Sequence, residues 1–143
     1  MKCTVIIDPA CQEEILIRAR TRSELVERLE ALATQVPAEL IGYRESEMAV
    51  LHPADIFCFT VDAHRVLALT DTGEWQVKLR LYALEERLGA DFVRINQSCM
   101  VNIRQIQRFD SSLGGALRVT LKNGFRDYVS RRQLRAVKER MGL

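Results

Sequence analysis

Apolar and polar residues alternate, or run together in short apolar bursts, along most of this chain. Only three stretches switch to the three-and-four spacing of a helix. "KCTVIID" (2–8) and "EILIRAR" (14–20) alternate and read as strands. In "TRSELVERLEALATQV" (21–36), Leu25, Val26, Leu29, Leu32, Ala33 and Val36 fall on one helical face. Thr21 with Glu24 three residues on makes a capping box that starts this helix, and Pro37 ends it. The resulting small β-β-α unit, assigned to residues 1–44, is too thin to hold a core alone. It has to dock on the rest of the chain or on a second copy of itself.

From Leu40 onward the texture is β. "ELIGYRE" and "EMAVLH" read as paired short strands, followed by "DIFCFTV", "RVLALT", a "DTG" turn at 71–73 and "WQVKL". Leu81, Leu84 and Leu88 predict a short helix closed by Gly89. Then come "DFVRI", "MVNI", "QIQRF", a Gly114-Gly115 turn, "ALRVTL", a "KNG" turn at 122–124 and "FRDYV". The last helix begins at Ser130, which makes a capping box with Gln133, and Leu134, Val137 and Met141 line its apolar face. About eight to ten short, closely spaced strands with single inserted helices predict a mainly β, mostly antiparallel domain. The only seam is a composition change near residues 37–47, which separates residues 1–44 from 45–143.

Composition narrows the class. The 143 residues are 48% hydrophobic and 28% charged, a balance that fits a folded soluble domain. No apolar run approaches the roughly 18 residues of a membrane span, and the apolar N-terminal run is broken by Asp8-Pro9, a poor secretory signal. The expected location is the cytoplasm, with no direct membrane insertion. Cysteines 3, 11, 58 and 99 contain no C-x-x-C pair and are expected to be free, mostly buried thiols in a reducing compartment. Charge is lopsided: residues 1–93 carry 10 Lys and Arg against 16 Asp and Glu, whereas residues 94–143 carry 11 against 3. A basic rear either meets a polyanion or is a solvated surface that offsets acidic neighbours in the same fold.

Catalytic chemistry finds little support. There are two histidines, His52 and His64, with no nucleophile-elbow pattern, no metal-ligand spacing and no Gly-rich phosphate loop. Neither an enzyme activity nor a cofactor or metal is expected. The basic rear offers more. Arg131 and Arg132 follow the Ser130 cap, so guanidinium groups join unpaired backbone N–H groups at a positive dipole end. That combination suits a phosphate or a base edge; the other reading is a pair with a carboxylate such as Asp127. In "VDAHRV" (61–66), His64 and Arg65 fall at a loop tip, either as contact residues or as solvated loop residues. In "RINQSCMVN" (94–102), Asn96, Gln97 and Ser98 form a polar triplet that is either a turn or a reading loop.

The run "DFVRINQSCMVNIRQIQRFD", a Gly turn and "ALRVTLKNGFRDYVSRRQLRAVKERM" together resemble the LytTR family of DNA-binding domains. The upstream "DIFCFTVDAHRVLALTDTGEWQV" fits the first half of that family. The likeness covers about residues 45 to 143. It rests on the aromatic-Val-Arg strand, the polar triplet ending in Ser98, the Val101-Asn102 pair, the Asn123-Gly124 turn and the Val129-Ser130-Arg131 helix entry. It implies a ten-stranded, mostly β domain that inserts loops into successive major grooves of double-stranded DNA. The contact residues it implies are His64 and Arg65, then Asn96, Gln97 and Ser98, and then Arg131 and Arg132.

Two features depart from the family pattern. Relatives commonly carry a basic residue or His in the triplet, where this chain has Asn96-Gln97. Many also carry a phosphoacceptor receiver domain in front, whereas about 45 residues precede the domain here, too few for a doubly wound receiver. The expectation is therefore a stand-alone, sequence-specific transcriptional regulator, a homodimer through the N-terminal unit, in which Asp8 is not a phosphosite. The alternative is a protein–protein interaction module or anti-activator of the same fold that does not bind DNA.

Overall fold

Residues 2–12, 14–34, 40–111 and 114–143 are described by the computed structural model, in two compact units, residues 1–37 and 38–143. The first unit departs from the pattern. Residues 2–8 and 14–20 form no strand; Asp8 closes a turn, accepting from the Ala10 N–H at 3.0 Å through its side chain and from the Cys11 N–H at 3.2 Å through its carbonyl. Alternation licenses a strand only where a partner supplies the ladder, and these segments have none among the described residues of the unit. Helix α1 spans Glu24–Thr34, and its cap is Ser23 rather than Thr21: the Ser23 hydroxyl accepts from the Val26 N–H at 3.3 Å. Val36 and Pro37 lie outside the described residues. The face that the periodicity marks as apolar is open, with Leu25 43%, Leu29 40% and Leu32 67% exposed.

The second unit begins earlier than composition indicates, because the strand at 40–44 pairs within it. In chain order it contains β1 Leu40–Arg44, β2 Glu47–Leu51, β3 Ile56–Asp62, β4 Arg65–Thr70, β5 Gly73–Val77, α2 Leu81–Leu88, β6 Phe92–Asn96, β7 Cys99–Asn102, β8 Ile106–Ser111, β9 Leu117–Leu121, β10 Arg126–Val129 and α3 Arg131–Met141. Seven strands form one antiparallel sheet in the order β2-β1-β5-β4-β3-β7-β6, and three form a second in the order β10-β9-β8.

Two cores lie on opposite faces of the large sheet. Phe59, Met100, Phe92 and Ile56 pack with Leu81, Leu84 and Leu88 of α2 on one side. Cys58, Cys99, Val101 and Ile95 pack with Leu117, Val119 and Leu121 of the small sheet and Val137 of α3 on the other. Strands β3 and β7 are covered on both faces, which is why their sequences read as near-continuous apolar runs. Truncating a fully buried member such as Leu84 to Ala removes about 2–5 kcal/mol of stability.

Two glycines are there for space. A Cβ on Gly42 would lie 2.8 Å from both Leu51 Cδ1 and Trp75 Cβ. Gly89 follows α2 in a right-handed conformation (φ −60°) rather than as a left-handed cap, and a Cβ there would meet the Glu85 carbonyl oxygen at 2.6 Å.

Candidate nucleic-acid interface

Three turns meet at one end of the seven-stranded sheet. β3 runs out into the hairpin turn between Asp62 and Arg65, and its last rungs pair with the start of β7, Thr60 opposite Cys99. The Val61 N–H then donates to the Ser98 carbonyl at 3.0 Å, which ties the hairpin to the β6–β7 turn. On the other flank the Ser130 N–H donates to the Ile95 carbonyl at 2.8 Å, so α3 starts beside the end of β6. The β6–β7 turn is therefore the middle member of a row, hydrogen-bonded to a neighbouring segment on each side.

The hairpin tip is strained. Ala63 (φ 49°) and His64 (φ 65°) both take the left-handed conformation of a two-residue mirror-type turn, which Asn-Gly adopts at far lower cost. His64 and Arg65 are exposed, and their side chains make no hydrogen bond or ion pair among the described residues.

The middle turn is held from beneath. Arg94 donates through Nε to the Asn96 carbonyl at 2.9 Å and through Nη2 to the Gln97 carbonyl at 2.8 Å, while Glu85 of α2 stands 3.5 Å from its Nη1. Asn96 turns inward. Its Nδ2 donates to Asp127 Oδ2 at 3.0 Å and to the Tyr128 carbonyl at 2.9 Å, and its Oδ1 accepts from the Ser98 N–H at 2.8 Å. Both amide protons and the carbonyl oxygen of Asn96, expected as a base contact, are thus used inside the protein. Gln97 and Ser98 are exposed at the crest.

At the third turn the Ser130 hydroxyl accepts from the Gln133 N–H at 3.3 Å. The reciprocal half of the expected capping box does not form, since the Ser130 N–H is committed to Ile95. Arg131 and Arg132 are exposed and make no ion pair among the described residues. Asp127, the carboxylate expected to compete for them, is held instead by Asn96 and by the Tyr128 N–H, 2.8 Å from its Oδ1.

Below the triplet the thiols of Cys58 and Cys99 are buried and free, whereas Cys3 and Cys11 are free and exposed, so only half of the cysteines are core residues. The hydrogen bond with Cys58, burial, and the neighbouring Asp127 carboxylate push the Cys99 thiol far above its ordinary range. It remains a neutral thiol. Among the described residues no group of three or more His, Cys, Asp or Glu side chains converges as a metal site, and no helix is long and apolar enough to cross a membrane. Sequence reasoning missed the roles of Arg94 and Asp127 in holding the middle turn. The one available signal was a lone Arg inside the apolar strand "FVRI", whereas the meeting of Asn96 with Asp127 spans 31 residues and leaves no local trace.

The second unit is a mostly antiparallel β domain that presents exposed guanidinium and polar side chains from three adjoining turns. The LytTr DNA-binding domain family model matches residues 46–142, and the chain belongs to that family. Two proteins named uncharacterized HTH-type transcriptional regulators, from Staphylococcus aureus strains bovine RF122 / ET3-1 and NCTC 8325, are each 36% identical over 104 residues, covering 73% of this chain and 71% of theirs. The solved LytTr DNA-binding domain of a methyl-accepting/DNA response regulator from Bacillus cereus matches the fold with a TM-score of 0.70 at 15% identity, covering 73% of this chain and 97% of that one. Among the described residues of the second unit, the helices α2 and α3 are separated by five strands and form no helix-turn-helix.

Proposed function

We propose that this protein is a sequence-specific transcriptional regulator that reads the major groove of double-stranded DNA with its three adjoining turns. The observation that carries the reading is the row itself: His64 and Arg65, Gln97 and Ser98, and Arg131 and Arg132 are exposed on segments joined by the Val61–Ser98 and Ser130–Ile95 hydrogen bonds. Gln97 grips a base edge through its side-chain amide, and the arginines take guanine edges or phosphates in bidentate fashion. Asn96 leaves the base-reading set, since its amide is committed inside the protein. The remaining Lys and Arg of residues 94–143 neutralise phosphates and supply the salt-dependent part of the affinity.

In the same reading a second copy of the chain covers the open apolar residues of the first unit, Val5, Ile6, Ile7, Leu25, Leu29 and Leu32. The arginines beside that helix face are already paired within the unit, Arg22 with Glu27 and Glu30 and Arg28 with Glu24. The face therefore asks for an apolar partner rather than a charged one. A homodimer would set two half-sites, direct or inverted, about one or two helical turns apart.

Selection of bound fragments from a pool of randomised duplexes tests the DNA reading. It should return a recurrent motif with two half-sites, and binding should weaken steeply with salt. Failure to retain any duplex at low salt would instead favour a protein-interaction module or anti-activator of the same fold. The open edge of β2, with Met48 73% and Val50 50% exposed, is the feature that reading would draw on.

A further inference from the structure

Residues 94–143 hold three carboxylates, and two of them face arginines: Asp110 stands between Arg108 and Arg118, and Glu139 pairs with Arg135. Asp127 makes no ion pair among the described residues. Its hydrogen-bond partners are neutral donors: the Asn96 amide and the Tyr128 N–H. It stands three residues before the Ser130 cap, beside exposed Arg131 and Arg132 that do not pair with it. By charge alone an unneutralised carboxylate at this end of the sheet repels a polyanion and weakens DNA binding. Its place needs another reason.

The hydrogen bonds supply one. Asp127 Oδ2 fixes one proton of the Asn96 amide and the Tyr128 carbonyl fixes the other, so the plane of the amide is set. In that plane Asn96 Oδ1 meets the Ser98 N–H, which shapes the turn that lifts Gln97 and Ser98 to the crest. The same carboxylate belongs to β10, which leads directly into α3. One acidic group thus sets the middle turn and locks it to the strand that delivers Arg131 and Arg132.

Resting on the proposed DNA-reading role of these turns, we infer that Asp127 is a positioning residue for sequence discrimination: through Asn96 it preorganises the Gln97–Ser98 crest, at some loss of general attraction for DNA. Charge and position pull in opposite directions, and this makes the role separable. Removing the carboxylate should strengthen binding to arbitrary DNA and weaken binding to the preferred sequence.

The test uses the full chain and variants Asp127→Ala, Asp127→Asn, Asn96→Ala and the Asn96→Ala/Asp127→Ala double. The probes are the duplex that the wild type retains best from a randomised pool and a scrambled duplex of equal composition. Amide hydrogen exchange at Ser98 is followed in the free protein, and thermal melts establish that each variant folds. Asp127→Ala should bind the scrambled duplex about twofold tighter and the selected duplex about tenfold more weakly. Ser98 exchange should accelerate at least several-fold without DNA present. Asp127→Asn keeps one acceptor oxygen and lacks the charge, so it should recover part of the selected-duplex affinity while retaining the gain on scrambled DNA. In the Asn96→Ala background, Asp127→Ala should cause no further loss on the selected duplex. Unchanged Ser98 exchange in Asp127→Ala, or a parallel rise in affinity for both duplexes, overturns the inference. If the wild type binds neither duplex, the DNA reading fails; Ser98 exchange then still decides whether Asp127 orders the turn.

Discussion

Ser130 and Ile95 lie 35 positions apart in the chain, and the backbone N–H of the first donates to the carbonyl of the second at 2.8 Å. This bond ties the start of α3 to the end of β6, next to the β6–β7 turn. It also explains why the capping box at Ser130 is only half made.

The bond can be isolated by substitution. Ser130 has φ −67°, a value proline adopts without strain. Ser130→Ala removes the hydroxyl cap alone and should cost about 1 kcal/mol. Ser130→Pro removes the cap and the N–H together, and should cost about 0.5–1.5 kcal/mol more than Ser130→Ala. Denaturant midpoints of the two variants check the difference; equal midpoints would show that the Ser130–Ile95 bond contributes nothing.

The hairpin tip should trade stability against binding. Ala63 and His64 hold left-handed conformations that Asn and Gly accept more readily. Ala63→Asn with His64→Gly should therefore raise unfolding stability by about 1 kcal/mol while weakening the selected duplex. Thermal melts and duplex titrations on the same preparation read both effects, and a pair that loses stability would contradict the strain.

Much of the second unit was legible because its information is local. Alternation and short apolar runs marked the strand segments of this unit, expected as about eight to ten strands, and the Asn123-Gly124 and "DTG" turns marked two hairpins. The family resemblance singled out three turns, which the fold brings side by side. The first unit was misread for a physical reason: "KCTVIID" and "EILIRAR" have strand patterning, but patterning does not provide the neighbouring strand that a ladder needs. The helix cap slipped by two residues because Thr21 and Ser23 both qualify, and only the Val26 N–H shows which one caps. The brace beneath the triplet was illegible. Asn96 looks like a reader by residue type, and its inward turn depends on Asp127 arriving from another strand.

The thiol pair gives a pH prediction. In the folded chain Cys99 is raised far above the ordinary thiol value of 9.0 by Cys58, burial and Asp127, whereas the unfolded chain ionises it at the ordinary value. Below about pH 9 both states carry the proton and the contribution is fully present; as pH rises past that point the unfolded state gives up its proton first, so stability falls. Denaturant midpoints should decline between about pH 8.5 and 10.5 in the wild type, and less so in Cys99→Ala. In the native protein at neutral pH, thiol alkylation should label exposed Cys3 and Cys11 and spare Cys58 and Cys99; rapid labelling of all four would contradict the burial.

Base reading and phosphate contact should separate by salt. Gln97→Ala should weaken the selected duplex by about 1–3 kcal/mol with the salt slope unchanged, and should relax the preference at one base position. Lys122→Ala, on the exposed 122–124 turn, should weaken selected and scrambled duplexes alike or leave both unchanged. A Gln97 variant that binds both duplexes as the wild type does would remove the triplet from the reading face.

The most direct measurement is a map of backbone chemical-shift changes as the selected duplex is titrated into the full-length protein. The account predicts that residues 63–65, 97–98 and 130–132 shift together at one protein-to-duplex ratio, while the β2 edge, Glu47–Leu51, stays silent. Shifts concentrated on that edge, with the three turns unmoved, would contradict it.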